Sequence, residues 1–146
     1  MRIREAVAAD VPAIVALLAD DGLGRGREAP GDPAYARAFA AMQAMPGNVY
    51  LVAERDGALI GCLQVTLIPG LSRRGLTRAQ IEGVRVAAAA RGQRVGEALM
   101  QAAIGRAREA GCGLVQLTTD LRRADAHRFY ERLGFEATHQ GMKLSL

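Results

Sequence analysis

The sequence of 146 residues has few of the features that mark specialised protein classes. Its two cysteines, Cys62 and Cys112, show neither CxxC spacing nor a disulfide-rich pattern, which favours reduced, packed thiols. No stretch approaches the roughly 20 apolar residues of a membrane span. The N-terminus carries charges at Arg2, Arg4 and Glu5 and no apolar core, so we expect no signal peptide. We expect a cytoplasmic protein with no membrane partner.

The cationic residues lack the clustering that nucleic-acid binding requires. The net charge is +4, and the cations are scattered from Arg2 to Lys143 without a basic tail or stripe. We therefore predict no nucleic-acid partner, with a basic RNA-associated protein as the alternative. Half of the residues are hydrophobic and 23% are charged, which is the balance of a globular chain. The length predicts a single domain over residues 1–146.

Hydrophobic periodicity and turn residues predict an alternating series of strands and helices. The predicted strands are 2–6, 48–55, 58–68, 79–86, 114–119 and 136–146, and the predicted helices are 10–19, 33–45, about 93–110 and 124–133. Hairpins precede a strand-helix-strand crossover in this order. The predicted fold class is therefore α/β, with a mixed sheet covered by helices.

The stretch RVAAAARGQRVGEALM, residues 85–100, joins a predicted strand to a predicted helix and concentrates glycine and arginine. A joint that only turned the chain would need no cluster of cations. Backbone N–H groups from Gln93 to Gly96 would lie at the positive end of the helix dipole, where Arg91 and Arg94 add full charges. This combination suits a phosphate or pyrophosphate. The alternative is a plain helix start with solvated arginines.

Two nucleotide-binding motifs are excluded. No Gly-Lys-Ser/Thr follows the joint, so it is not a P-loop, and we predict no metal. Gly22, Gly24 and Gly26 lie in a long loop that follows a predicted helix, and they lack the GxGxxG spacing of a dinucleotide fold. We therefore expect a phosphate group to be bound at the joint and not transferred.

Two segments, VRVAAAARGQRVGEALM and DAHRFYERLGF, together resemble the GCN5-related N-acetyltransferases (GNAT) in order, spacing and strand context over residues 81–135. The first resembles the family's acetyl-coenzyme A (acetyl-CoA) motif, which reads Gln or Arg, two residues, Gly, one residue, Gly or Ala. Arg91 and Gly96 match it, whereas Arg94 replaces the first glycine. The resemblance implies a single GNAT domain whose mostly antiparallel sheet contains a splayed pair of parallel strands.

The resemblance also implies an acetyl-CoA site with two parts. The expected pyrophosphate site comprises Arg91, Gly92, Gln93, Arg94, Val95 and Gly96. The pantetheine arm is expected along the free backbone of Val84, Arg85 and Val86, where that strand separates from LVQLTT. Asp125 stands where relatives often carry an Asn that contacts the cofactor.

The absence of a Ser, Cys or His constellation predicts direct attack of an amine on the thioester. Tyr130, which helical spacing aims inward, is predicted to protonate the departing thiolate; the alternative is a core aromatic with a structural hydroxyl. Glu82, expected on the same strand face as Val84, is the predicted base, directly or through a water. The alternative is a structural partner of Arg85 or Arg78.

The acceptor is predicted from acidic residues near the first helix. Asp20 and Asp21 lie at its C-terminal end, where negative charge opposes the helix dipole. With Glu28 and Asp32 they could form an acidic mouth for a cationic amine; the alternative is a solvated loop. We predict an N-acetyltransferase for a primary amine of a small molecule or peptide. A CoA-binding regulatory protein without turnover is the alternative, and homodimerisation is left open.

Overall fold

The computed structural model describes residues 1–146 and contains a five-stranded mixed sheet with flanking helices, which confirms the predicted fold class. The strands, in spatial order, are β1 Arg2–Glu5, β2 Asn48–Arg55, β3 Ala58–Ile68, β4 Arg78–Val86 and β5 Leu114–Leu117. The helices are α1 Val11–Ala19, α2 Ala34–Gln43, the single turn α3 Ser72–Gly75, α4 Val95–Glu109 and α5 Ala124–Arg132. The chain divides into two compact units, Met1–Gln116 and Leu117–Leu146.

The predicted bounds hold for the central hairpin and fail at the end of the chain. β2 and β3 have the predicted limits, and Asp56 and Gly57 between them have φ values of 51° and 78°, as in a type I′ turn. The strand predicted at 136–146 is not formed, and β5 ends at Leu117 instead of residue 119. Gly141 weakens the terminal segment, and alternation alone does not form a strand without a paired neighbour.

The two faces of the sheet are covered by different helices. A Cβ atom at Gly61 of β3 would lie 2.9 Å from Leu99 and 3.0 Å from Val95, so this face packs against α4. On the other face, Val52 and Cys62 form a buried cluster with Ile14 and Leu17 of α1. Each face thus has its own apolar contact with a helix.

Strand β4 contains a bulge at Gly83. Gly83 and Val84 together oppose the single residue Leu63 of β3. Gly83 has a φ of 61°, in the left-handed region that favours glycine. A bulge of this kind bends its strand and redirects the side chains that follow it.

The bulge changes which side chains of β4 share a face. Glu82 lies opposite Gln64, and Arg85 lies opposite Cys62. Because Gln64 and Cys62 are two residues apart on β3, Glu82 and Arg85 lie on the same face, the one that α1 covers. The prediction that Glu82 shares a face with Val84 is therefore wrong, since simple alternation takes no account of an inserted residue.

We expect Gly83→Ala to lower the free energy of unfolding by about 1–2 kcal/mol, because a side chain at positive φ is strained. The new Cβ would also lie 3.3 Å from the hydroxyl of Tyr50. The matched control is Gly105→Ala within α4, where an added Cβ meets nothing within 4 Å and helix propensity should raise stability by about 0.5–1 kcal/mol. Urea denaturation measures both. A neutral Gly83→Ala would show that the bulge does not require glycine.

Candidate functional site

The joint after β4 forms the start of a 15-residue helix, α4, which begins at Val95. The N–H of Ala98 donates to the carbonyl of Arg94 at 3.1 Å, so the N–H groups of Val95, Gly96 and Glu97 precede the intrahelical bonds. These groups lie at the positive end of the helix dipole. Such a terminus is suited to an anionic group.

Arg94 has the backbone conformation that glycine favours. Its φ and ψ of 60° and 19° lie in the left-handed region, which costs about 1 kcal/mol for a residue with a side chain. The side chain is 80% exposed and donates to Glu97 at 2.6 and 2.9 Å. The backbone path is therefore the one a glycine would take, while the guanidinium is engaged by a neighbouring carboxylate.

The other long side chains of the joint bind nearby groups of the sheet and its connection. Arg91 Nε donates to the carbonyl of Val86 at 3.3 Å. Gln93 Nε2 donates to the carbonyl of Ala89 at 2.9 Å, and its Oε1 accepts from Arg55 of β2 at 2.6 Å. These contacts hold the joint against β2 and β4 while both side chains stay exposed.

The C-terminal part of β4 extends beyond β5. Since β1 to β4 pair antiparallel and the sheet is mixed, β4 and β5 are the parallel pair. Gln116 Nε2 donates to Gln80 Oε1 at 2.7 Å, and β5 ends one residue later. Residues 84–86 therefore lie past the strand that neighbours β4. A free strand edge is what an extended pantetheine arm would require.

The sheet face covered by α1 carries a row of three polar side chains, one from each central strand. Tyr50 of β2 lies opposite Gln64 of β3, which lies opposite Glu82 of β4. Gln64 Nε2 donates to Asn48 Oδ1 at 2.9 Å, and Thr66 Oγ1 donates to the same oxygen at 3.1 Å. We call Tyr50, Gln64 and Glu82 the polar row.

Tyr50 extends across β3 to the bulge of β4. Its hydroxyl is 3.3 Å from the position that a Cβ of Gly83 would take. Burial, with smaller contributions from Cys62 and Glu82, raises the pKa of Tyr50 above its usual value. The hydroxyl therefore remains neutral at physiological pH and can both donate and accept a hydrogen bond.

Arg85 and Asp21 form a buried ion pair beside the polar row. Arg85 Nε is 2.8 Å from Asp21 Oδ2, and the two side chains are only 11% and 14% exposed. The other oxygen of Asp21 accepts the N–H groups of Leu23 and Gly24 at 3.0 and 2.5 Å. The charge of Asp21 at the end of α1 thus neutralises Arg85 and stabilises a turn, so it adds no net charge to an acidic mouth.

Glu82 does not pair with Arg85 or Arg78, the two alternative structural partners that the sequence offers. Arg85 pairs with Asp21, and Arg78 donates to the hydroxyl of Ser72 at 3.2 Å. The Glu82 side chain is exposed at the surface. A general base needs this accessibility, because it must reach the proton of an incoming amine.

Cys62 is unsuited to nucleophilic catalysis in this structure. It is fully buried, and burial raises its pKa to about 12. A thiol in this state is neutral at physiological pH and unreactive.

In the unit Leu117–Leu146, helix α5 positions the remaining predicted residues. Tyr130 is half-buried, and its ring packs edge to face against Phe129 and Phe135 with centroids 5.2 and 5.9 Å apart. Asp125 lies in the first turn of α5, is 97% exposed and pairs with Arg128. The phenol is therefore held by aromatic packing, whereas the carboxylate faces solvent.

Sequence reasoning missed Tyr50 and Gln64. The only signal was a polar residue on the alternating face of each hairpin strand, and the pairing of the two residues depends on the register of the hairpin.

None of the helices has the length and hydropathy of a membrane span. No three His, Cys, Asp or Glu side chains cluster closely enough to hold a metal ion.

Comparison with known proteins identifies a family. The model of the acetyltransferase (GNAT) family matches residues 14–135. An aminoalkylphosphonate N-acetyltransferase of Salmonella typhimurium is 34% identical over 106 residues, which cover 73% of this chain and 68% of that protein. A solved structure described as a transcriptional regulator, from Bacillus halodurans C-125, is 49% identical with a TM-score of 0.96 over 99% of both chains. A putative acetyltransferase from Agrobacterium tumefaciens is 30% identical with a TM-score of 0.89 over 100% of both chains.

We expect Asp21→Asn to lower the free energy of unfolding by about 3 kcal/mol, because it leaves the guanidinium of Arg85 buried without a counter-charge. The amide oxygen of Asn can still accept the two N–H groups, so the variant isolates the charge. The control is Glu97→Gln, which breaks an ion pair whose arginine, Arg94, is 80% exposed and should cost under about 1 kcal/mol. Denaturant unfolding compares the two, and equal losses would contradict a special role for the buried pair.

Proposed function

Because the chain belongs to the GNAT acetyltransferase family, we propose that it transfers an acetyl group from acetyl-CoA directly to a primary amine of a small molecule or peptide. Proteins of this family use acetyl-CoA. The observation that carries the proposal is the start of α4, where three backbone N–H groups have no partner within the helix. They directly follow Arg94, which has a left-handed backbone conformation at the family's glycine position.

The proposed acetyl-CoA site uses two neighbouring parts of the chain. The pyrophosphate binds the N–H groups at the start of α4, within the segment Arg91–Gly96, and the exposed guanidinium of Arg91 supplies a positive charge. The pantetheine arm binds the backbone of Val84–Val86 as an added strand. Asp125 is proposed to accept hydrogen bonds from the amides of the arm. No residue is required to hold a metal.

The proposed reaction is direct aminolysis of the thioester. Glu82 takes one proton from the ammonium, directly or through a water, and the freed amine attacks the carbonyl carbon. The carbon–sulfur bond then breaks, and Tyr130 gives its phenolic proton to the leaving thiolate. The amine nitrogen loses its second proton to the solvent, from which Tyr130 is reprotonated, and Glu82 releases to the solvent the proton that it took. An ammonium and a thioester thus yield an amide, a free thiol and one released proton.

A CoA-binding regulatory protein without turnover is the second candidate, because a 49% identical relative is described as a transcriptional regulator. Free-thiol release with a panel of amines distinguishes the two. The panel should contain n-butylamine, 1,4-diaminobutane and 2-aminoethylphosphonate, the last because one relative is an aminoalkylphosphonate N-acetyltransferase. Amine-dependent thiol release supports the enzyme, whereas tight acetyl-CoA binding without release supports the regulator.

We expect Gly96→Asp to weaken acetyl-CoA binding more than tenfold, because the new carboxylate repels the pyrophosphate at the start of α4. The fold should survive, since an acidic residue in the first turn favours the helix. Gly105→Asp is the matched control, as it adds the same charge to the same helix beyond its first two turns. Calorimetry measures both affinities. Equal acetyl-CoA affinities in the two variants would contradict the proposal that the pyrophosphate binds at the start of α4.

We expect Tyr130→Phe to lower kcat by about 10²- to 10⁴-fold, because general-acid assistance is worth that much. The ring packing against Phe129 and Phe135 is retained, so the variant should fold and the acetyl-CoA dissociation constant should change little. The measurement is kcat against pH, with melting curves alongside. If turnover stays within about threefold of the unmodified protein, which is under 1 kcal/mol of barrier, Tyr130 is not the acid.

A further inference from the structure

The polar row is less buried than the neighbouring part of the same face. Val52 and Cys62 lie two residues from Tyr50 and Gln64 on the same strands, and they are buried under Ile14 and Leu17 of α1. Glu82, by contrast, is exposed, and Tyr50 and Gln64 are only partly buried. The ring of Tyr50 packs against this apolar cluster, but that packing does not need the hydroxyl of Tyr50 or the carboxylate of Glu82. The exposed carboxylate of Glu82 is accessible to a ligand from the solvent.

The oxygens of the polar row lack partners within the chain. No hydrogen bond is made by the hydroxyl of Tyr50 or by the carboxylate of Glu82. Gln64 uses its amide nitrogen to bind Asn48, so its carbonyl oxygen remains without a donor. The row therefore presents three oxygens that accept no hydrogen bond within the chain. A primary ammonium has three N–H donors.

These side chains converge on β4 although they start from three strands. The Tyr50 hydroxyl lies 3.3 Å from the Cβ position of Gly83, the residue next to Glu82. Gln64 is the direct neighbour of both Tyr50 and Glu82 in the sheet. Because Gly83 has no side chain, the hydroxyl can approach the backbone of β4 this closely. The phenolic oxygen of β2 thus lies at the bulge of β4, and the carboxylate of Glu82 is near enough to contribute to the raised pKa of Tyr50.

The charge next to the row favours a cation. Arg85 shares this face but is neutralised by Asp21 at 2.8 Å. Glu28, which also acts on Tyr50 electrostatically, is bound by Arg27 at 3.0 Å and by the hydroxyl of Tyr35 at 3.1 Å. The carboxylate of Glu82 is therefore the charge of the row that has no counter-ion. A bound ammonium would supply one.

We propose that Tyr50, Gln64 and Glu82 form the cradle for the acceptor, which binds as a primary alkylammonium with one N–H directed to each of the three oxygens. The inference rests on the proposed function and narrows it, because it assigns the substrate class and two binding residues. Glu82 both binds the ammonium and later removes its proton. Tyr50 and Gln64 hold the nitrogen in place. Together with Glu82 they favour a primary over a secondary ammonium, because a secondary ammonium has only two N–H groups and loses one hydrogen bond.

The test is an NMR titration of the CoA-loaded protein with n-butylammonium and N-methylbutylammonium, since CoA permits no turnover. In the unmodified protein, n-butylammonium should bind about tenfold more tightly than its N-methyl analogue, because one charged hydrogen bond is lost. Tyr50→Phe should weaken n-butylammonium about tenfold and reduce the preference over the analogue below about threefold. With n-butylamine as acceptor, the amine KM should rise while the acetyl-CoA KM is unchanged.

Tyr35→Phe is the matched control. The hydroxyl of Tyr35 accepts from the N–H of Ala29 at 2.8 Å and donates to Glu28 at 3.1 Å, so its loss should lower the melting temperature by a few degrees and leave amine affinity unchanged. Tyr50→Phe should leave the melting temperature unchanged, since its hydroxyl has no partner in the chain. A drop in melting temperature with unchanged amine affinity in Tyr50→Phe would overturn the cradle, as would failure of n-butylammonium to bind. Failure of the proposed function is distinguishable, because it would appear as no acetyl-CoA binding or no thiol release.

Discussion

The pairing of β3 with β4 around the bulge at Gly83 is the constraint on which both parts of the proposed site depend. Before the bulge, β4 directs Glu82 to the face covered by α1; after it, the inserted residue sends Arg85 to that same face. The strand then continues past the end of β5 and leads into the start of α4. A single left-handed glycine therefore determines which β4 side chains share the face where the acceptor is proposed to bind.

The buried Arg85–Asp21 pair follows directly from the bulge. Without the inserted residue, Arg85 would point to the opposite face and Asp21 would oppose the dipole of α1 without compensation. Their contact at 2.8 Å removes an arginine charge from the face that carries Glu82. The electrostatic consequence is specific: one carboxylate without a counter-ion remains in the polar row, and it has the sign needed to attract an ammonium and then accept its proton.

The start of α4 shows that a backbone conformation can be kept while its usual residue is lost. Arg94 occupies the left-handed position with a φ of 60°. The strain of about 1 kcal/mol is small beside the stabilisation of a helix whose residues Leu99, Met100 and Ala103 are fully buried. Packing of α4 against the sheet can therefore maintain the N–H groups that are proposed to bind the anion, and the exposed arginine side chain need not take part in that geometry.

The sequence by itself determined the order and type of most elements, because periodicity and turn residues act locally: the Asp56-Gly57 turn alone predicts the hairpin of β2 and β3. It also determined the family, through two motifs of defined spacing. Tertiary structure decided the register. Counting in single steps from the Arg55–Ala58 pair would place Tyr50 opposite Leu63, whereas an irregularity at Ala53 and Glu54 places it opposite Gln64. Bulges, the buried ion pair and the missing terminal strand depend on contacts between distant segments, so no local pattern encodes them.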